Sequence, residues 1–163
     1  MADKSLVELI NGLANSLTEA KLKVCTAESC TGGLIAKSFT DLAGSSAWFE
    51  RGFVTYSNES KAEMLGVSES VIDQYGAVSE PVATAMAVGA LSHSHADYSI
   101  AVTGVAGPGG GSNEKPVGTV WIGVASQSQK FTQKFLFDGD RSMIRLVTMH
   151  AAIHQLIHLL RSK

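Results

Sequence analysis

With 163 residues, 45% of them hydrophobic and 17% charged, the chain is long enough for one domain with a buried core, and its composition excludes a disordered protein. A net charge of −2 and a pI near 6.2, with no block of Lys or Arg, argue against a nucleic-acid-binding surface. There is no apolar run of the roughly 18 residues that a membrane span needs, so no membrane partner is expected.

Met1 to Ser5 lack the apolar region of a signal peptide. Ser5 to about Ala20 reads as an amphipathic helix, with a Ser5/Glu8 capping box and Leu6, Ile10, Leu13, Ala14 and Leu17 on one face. Lys23 to Ala27 is a short β run. The polar turn Glu28 to Gly33 follows, then a helix from about Leu34 to Leu42. Ligands in α/β folds bind at such carboxyl ends of strands. Cys25 and Cys30 fall in this unit and, with no secretion signal, are expected as reduced thiols of a cytoplasmic protein.

The stretch from Gly44 to Lys61 holds a Gly-Ser-Ser turn, a strand from about Trp48 to Tyr56, and a helix start at which Asn58 is a good cap. It brings a hydroxyl (Ser45 or Ser46), a phenol (Tyr56) and an amine (Lys61) into one short unit. A serine becomes nucleophilic when a base takes its proton, and a lysine does this only when neutral. A first-turn position and a desolvated site both lower a lysine pKa. The plain alternative is a surface lysine on a helix after a buried strand.

The Lys61 helix ends at Gly66, and a short helical segment, Ser68 to Tyr75, closes at Gly76. Ser79-Glu80-Pro81 starts a helix that runs to about Ser92. Asp97 to Thr103 is a nearly continuous apolar strand, suited to the sheet centre. The glycine-rich loop Gly104 to Pro116 is neither a P-loop nor a dinucleotide fingerprint, but its N–H groups, around Gly104 and Gly107, can cradle an anion. Gly118–Ser126 and Lys130–Phe137 read as a hairpin, and a helix runs from about Arg141 to Leu160. With no internal repeat, residues 1–163 are predicted to form one α/β domain, a mixed sheet covered by helices on both faces.

Two rival chemistries are weaker. Cys30 precedes a helix, but no histidine is near it in sequence to activate the thiol. His150, His154 and His158 share one stripe of the last helix, yet no Cys, Asp or Glu accompanies them, so a metal site is not expected. Arg141 beside Asp140 is either a surface ion pair or a bidentate binder of carboxylate or phosphate.

Several stretches, in order, resemble the CinA C-terminal domain family: Thr26-Ala-Glu-Ser-Cys-Thr-Gly-Gly33, Gly44-Ser-Ser-Ala-Trp-Phe49, Val54-Thr-Tyr-Ser-Asn58 with Lys61, Gly76-Ala-Val-Ser79, Thr103-Gly-Val-Ala-Gly-Pro108 and Lys115-Pro-Val-Gly-Thr119. The resemblance covers essentially the whole chain. It implies a three-layer α/β/α fold and hydrolysis of the carboxamide of nicotinamide mononucleotide (NMN), in pyridine-nucleotide recycling, without metal or cofactor. By position, Ser46 resembles the nucleophile, Lys61 its general base and Tyr56 an assisting hydroxyl. Ser29 and Thr103 match positions lining the pocket, and Arg141 matches a substrate-binding arginine; with the glycine loop it is expected to hold the phosphate. A homodimer is implied as well. The competing class is a non-catalytic nucleotide-binding module, in which the loop binds phosphate and the Ser, Tyr and Lys side chains merely pack.

Overall fold

Large and small residues alternate along the central strand β3 (Tyr98–Gly104), and this alternation decides how the layers stack. Tyr98, Ile100 and Val102 face one side, Ser99 and Ala101 the other. The computed structural model describes residues 5–162; Met1–Lys4, most of the stretch examined for a signal peptide, lie outside them. The other strands are β1 (Val24–Glu28), β2 (Phe49–Val54), β4 (Thr119–Ser126) and β5 (Lys130–Leu136). They form one mixed sheet in the order β2-β1-β3-β4-β5, with β1 parallel to β2 and β3, and the β4–β5 hairpin antiparallel.

The large-residue face carries α1 (Leu6–Ala20), α2 (Leu34–Thr40) and α6 (Arg141–Arg161) over a core that includes Ile100, Ile122, Phe39 and Leu156. Each such side chain, fully buried, contributes about 1.5–3 kcal/mol. The small-residue face carries α3 (Asn58–Leu65), α4 (Glu69–Tyr75) and α5 (Glu80–Ser92). Here α5 lies so close that a Cβ on Gly123 would meet the Ala83 carbonyl at 2.9 Å. This is the three-layer α/β/α arrangement expected from the sequence.

Local signals behave as their chemistry requires. Ser5 Oγ accepts from Glu8 N–H at 3.3 Å, and Glu8 Oε2 accepts from Ser5 N–H at 2.9 Å, completing the capping box. Gly66 closes α3 with φ 68°, a left-handed conformation suited to glycine. The cap of α3 is Ser57 rather than Asn58: Ser57 Oγ accepts from Ser60 N–H at 3.0 Å. By length and composition α6 is apolar enough to cross a membrane. Its residues Ile144, Met149, Ile153 and Leu156 are buried in the core, whereas Met143 and Leu146 on the same helix are exposed.

Strand direction positions the site. β1 lies between β2 and β3, so the chain moves from β1 to one side and then crosses to the other. The loops leaving the parallel strands diverge at this switch point, where α/β folds bind ligands. Glu28, Val54 and Val102 pair across the three strands at their carboxyl ends. The segments that follow, around Ser29, Tyr56 and Thr103, therefore converge.

Candidate active site

Lys61 reaches this convergence from α3 and is 1% exposed. Its Nζ lies 3.0 Å from Ser29 Oγ, donates to the Thr55 carbonyl at 2.9 Å, and lies 3.4 Å from the Tyr56 carbonyl. No carboxylate pairs with it among the described residues. Burial holds its pKa below the ordinary lysine value, against a smaller upward contribution from Cys30. The lowering comes from desolvation.

Ser29 is held as firmly. Its N–H donates to the Val102 carbonyl at 3.0 Å, tying the first residue beyond β1 to β3. The turn behind it is organised by Glu28, a fully buried carboxylate. Glu28 accepts from Thr31 Oγ1 at 2.7 Å and from the N–H groups of Ile35 and Ala36 at 2.8 and 3.0 Å. Burying a carboxyl group is costly unless hydrogen bonds replace its hydration, and three donors do so here.

A cavity of about 200 Å3 opens over the pair, lined by Ser29, Cys30, Tyr56, Lys61, Thr103 and Arg141, with Gly104, Asn58 and the Ala77–Val78 segment completing its rim. Thr103 Oγ1 donates to the Ala77 carbonyl at 2.9 Å, fixing that wall. Arg141 Nη1 donates to the Gly107 carbonyl at 2.7 Å, and Nη2 donates to Tyr56 Oη at 3.2 Å. Arg141 thus links the glycine loop to the phenol, and it has no carboxylate partner among the described residues. Burial pushes the Cys30 thiol up to about 11, so it is not a thiolate at neutral pH. Larger clefts of about 400 Å3 lie beside the β4–β5 hairpin, but their linings contain no nucleophile paired with a base.

Most of the expected site residues meet here: Ser29, Tyr56, Lys61, Thr103, Gly104 and Arg141 line the cavity, and Gly107 is bonded to Arg141. Ser46 does not. It is exposed, in a 3-10 turn (Ser45–Ala47) that enters β2, whereas Lys61 follows the exit of β2. Phe49 pairs with Val24 at the amino ends of the strands. The six residues of β2, at a rise of roughly 3.3 Å per residue, put about 17 Å between its two ends. The expected Ser46–Lys61 contact is therefore corrected to Ser29–Lys61. Sequence reasoning also passed over Glu28 and Arg145. Arg145 follows Arg141 by four residues on the same helix face, a spacing that was available as a signal.

Against known proteins, the CinA C-terminal domain family matches residues 7–160. The chain belongs to this family. It is 54% identical over 146 residues to the nicotinamide-nucleotide amidohydrolase PncC of Escherichia coli K12, covering 89% of this chain and 88% of that one. To the Pseudomonas putida protein of the same name it is 49% identical over 154 residues, covering 94% and 96%. Among CinA-family structures, the competence/damage inducible protein CihA of Agrobacterium tumefaciens superposes with a TM-score of 0.93 at 45% identity, covering 98% of both chains.

Proposed function

We propose that this chain is a nicotinamide-nucleotide amidohydrolase that converts NMN and water to nicotinate mononucleotide and ammonia, with Ser29 as nucleophile and Lys61 as general base. The observation that carries the reading is the 3.0 Å contact between a buried, carboxylate-free lysine amine and a serine hydroxyl. The identity to amidohydrolases of that name supports the substrate. A neutral amine has two hydrogens and one lone pair. With the Thr55 and Tyr56 carbonyls placed to accept the hydrogens, the lone pair is left for the Ser29 proton.

Ser29 Oγ attacks the carboxamide carbon as Lys61 takes its proton. The tetrahedral intermediate collapses, Lys61 returns the proton to the departing nitrogen, and ammonia leaves a nicotinoyl ester on Ser29. Water then attacks the ester with Lys61 again as base, releasing nicotinate mononucleotide and restoring the hydroxyl. Splitting the reaction through an ester suits an amide, a sluggish electrophile. Tyr56, its oxygen accepting from Arg141, keeps its phenolic proton for the substrate. The cavity of about 200 Å3 is smaller than a typical pocket for a whole ligand. The nicotinamide end enters it, and the phosphate extends over the rim to Arg141 and the loop around Gly104 and Gly107. We extend the proposal to a cytoplasmic homodimer acting in pyridine-nucleotide recycling, as the family resemblance implies.

Ammonia release from NMN tests the reading. Ser29→Ala should lower kcat by several orders of magnitude, while Ser46→Ala turns over normally. Full activity in Ser29→Ala, or no ammonia from the unaltered protein, overturns it.

A further inference from the structure

The first turn of α3 leaves one side chain without a local task. Ser57 Oγ caps the helix by accepting from Ser60 N–H at 3.0 Å, so the Asn58 amide, the cap expected from the sequence, is released from that role. Asn58 lines the cavity over Ser29 and Lys61, and its side chain makes no hydrogen bond among the described residues. The other polar side chains of the lining are engaged. Ser29 meets Lys61 at 3.0 Å, Thr103 donates to the Ala77 carbonyl at 2.9 Å, and Arg141 bridges the Gly107 carbonyl and Tyr56 Oη. Arg145, outside the lining, is likewise occupied by the carbonyls of Cys30 and Thr31, at 3.1 and 3.0 Å. Among the polar side chains that line the cavity, Asn58 alone keeps a donor and an acceptor both free.

Its height above the chemistry follows from the helix. Asn58 and Lys61 are three residues apart on α3, so their side chains leave the same face. Three residues of an α-helix rise about 4.5 Å. Lys61 is buried at the cavity floor, whereas Asn58 is exposed, so the amide stands nearly one turn towards the mouth. In NMN the carboxamide is meta to the ring nitrogen that carries the ribose. With the carboxamide carbon at Ser29 Oγ, one ring width separates the reacting atoms from the sugar, which brings the sugar to the level of Asn58. The phosphate beyond it is an anion, matched by the charge of Arg141. The ribose hydroxyls are uncharged, and each both donates and accepts. An amide presents its N–H and C=O side by side, as a vicinal diol presents its two hydroxyls.

We infer that Asn58 is the specificity-determining residue for the ribose, its amide holding the 2′,3′-diol of the mononucleotide, an inference that rests on the NMN amidohydrolase reading but not on which group is the nucleophile. A neutral hydrogen bond contributes modestly, and two together are worth about tenfold in affinity. The diol does not change as the carboxamide is attacked, so this binding is the same in ground and transition states and appears in KM rather than kcat.

The test crosses the side chain with the hydroxyls: wild type and Asn58→Ala, each with NMN and with its 2′,3′-dideoxy analogue, followed by ammonia release. Asn58→Ala should raise KM for NMN about tenfold with kcat nearly unchanged. Wild type should show a similar rise with the dideoxy analogue, and Asn58→Ala should add no further rise to it. The position is exposed and Ser57 still caps α3, so the variant should fold. A purely structural role would raise KM by one factor for both substrates. That equal rise, or an unchanged KM for NMN in Asn58→Ala, overturns the inference. Wild type that releases no ammonia from NMN removes the function reading and this inference with it, whereas NMN turnover with independent losses removes the ribose assignment alone.

Discussion

Replacing Lys61 by Met keeps the length and most of the volume of the side chain and deletes the amine, so it separates catalysis from burial. For catalysis, a positioned general base contributes about 10²–10⁴-fold. Because no other base lies within hydrogen-bond reach of the serine among the described residues, kcat/KM for NMN should fall about 10³-fold or more, roughly 4 kcal/mol of transition-state stabilisation. For stability, two opposing effects meet. The variant loses the contacts at 3.0 Å to Ser29 and 2.9 Å to the Thr55 carbonyl, about 1 kcal/mol each. It gains by removing a desolvated amine, and that gain depends on pH. The folded-state pKa of Lys61 lies below its unfolded value because burial penalises the ammonium. Between the two values the unfolded chain binds more protons, so wild-type stability rises with pH across that window. Below the folded pKa the cost of burying the charge is fully present, and above the unfolded value, near 10.4, it is gone. Thermal unfolding of both proteins from pH 6 to 10 should show wild type gaining on Lys61→Met as pH rises, while ammonia release by the variant stays near background throughout. If wild type loses ground to the variant with rising pH, the lysine pKa is raised and the desolvation argument is wrong. If folded Lys61→Met keeps kcat/KM within tenfold of wild type, the lysine is not the base.

Glu28→Gln places an amide where three donors converge, and at least one of the Ile35 and Ala36 N–H groups or the Thr31 hydroxyl loses its charged acceptor. A cost of about 2–4 kcal/mol is expected, read as a Tm lower by roughly 5–15 °C in calorimetry. Arg141→Ala should raise KM for NMN at least about tenfold while leaving KM for nicotinamide riboside, which lacks the phosphate, nearly unchanged; an equal rise for both substrates would place Arg141 away from the phosphate. With its thiol pushed up to about 11 and its side chain buried, Cys30 should resist iodoacetamide at pH 7.5, as followed by mass spectrometry, and Cys30→Ala should retain most turnover. Rapid alkylation that abolishes activity would reopen the thiol as nucleophile.

What the sequence determined by itself is what depends on neighbours a few residues apart. The Ser5/Glu8 box, the glycine stop at Gly66 and the Ser79-Glu80-Pro81 helix start act within one turn of chain, so element types and order were legible. The apolar run of β3 announced the sheet centre for a similar reason, since burial on both faces leaves no polar alternation. Tertiary structure alone decided which serine meets Lys61. Ser46 is nearer to Lys61 in sequence, whereas Ser29 is 32 residues away. An extended strand carries the chain about 3.3 Å per residue, so the six residues of β2 take Ser46 to the far side of the sheet. The parallel pairing of β1 with β2 brings the end of β1, and Ser29 with it, to the side where Lys61 emerges. Arg145 and Glu28 stayed hidden for the same reason: each acts through backbone groups, which every residue carries, and only the folded chain shows whose carbonyls and N–H groups they hold.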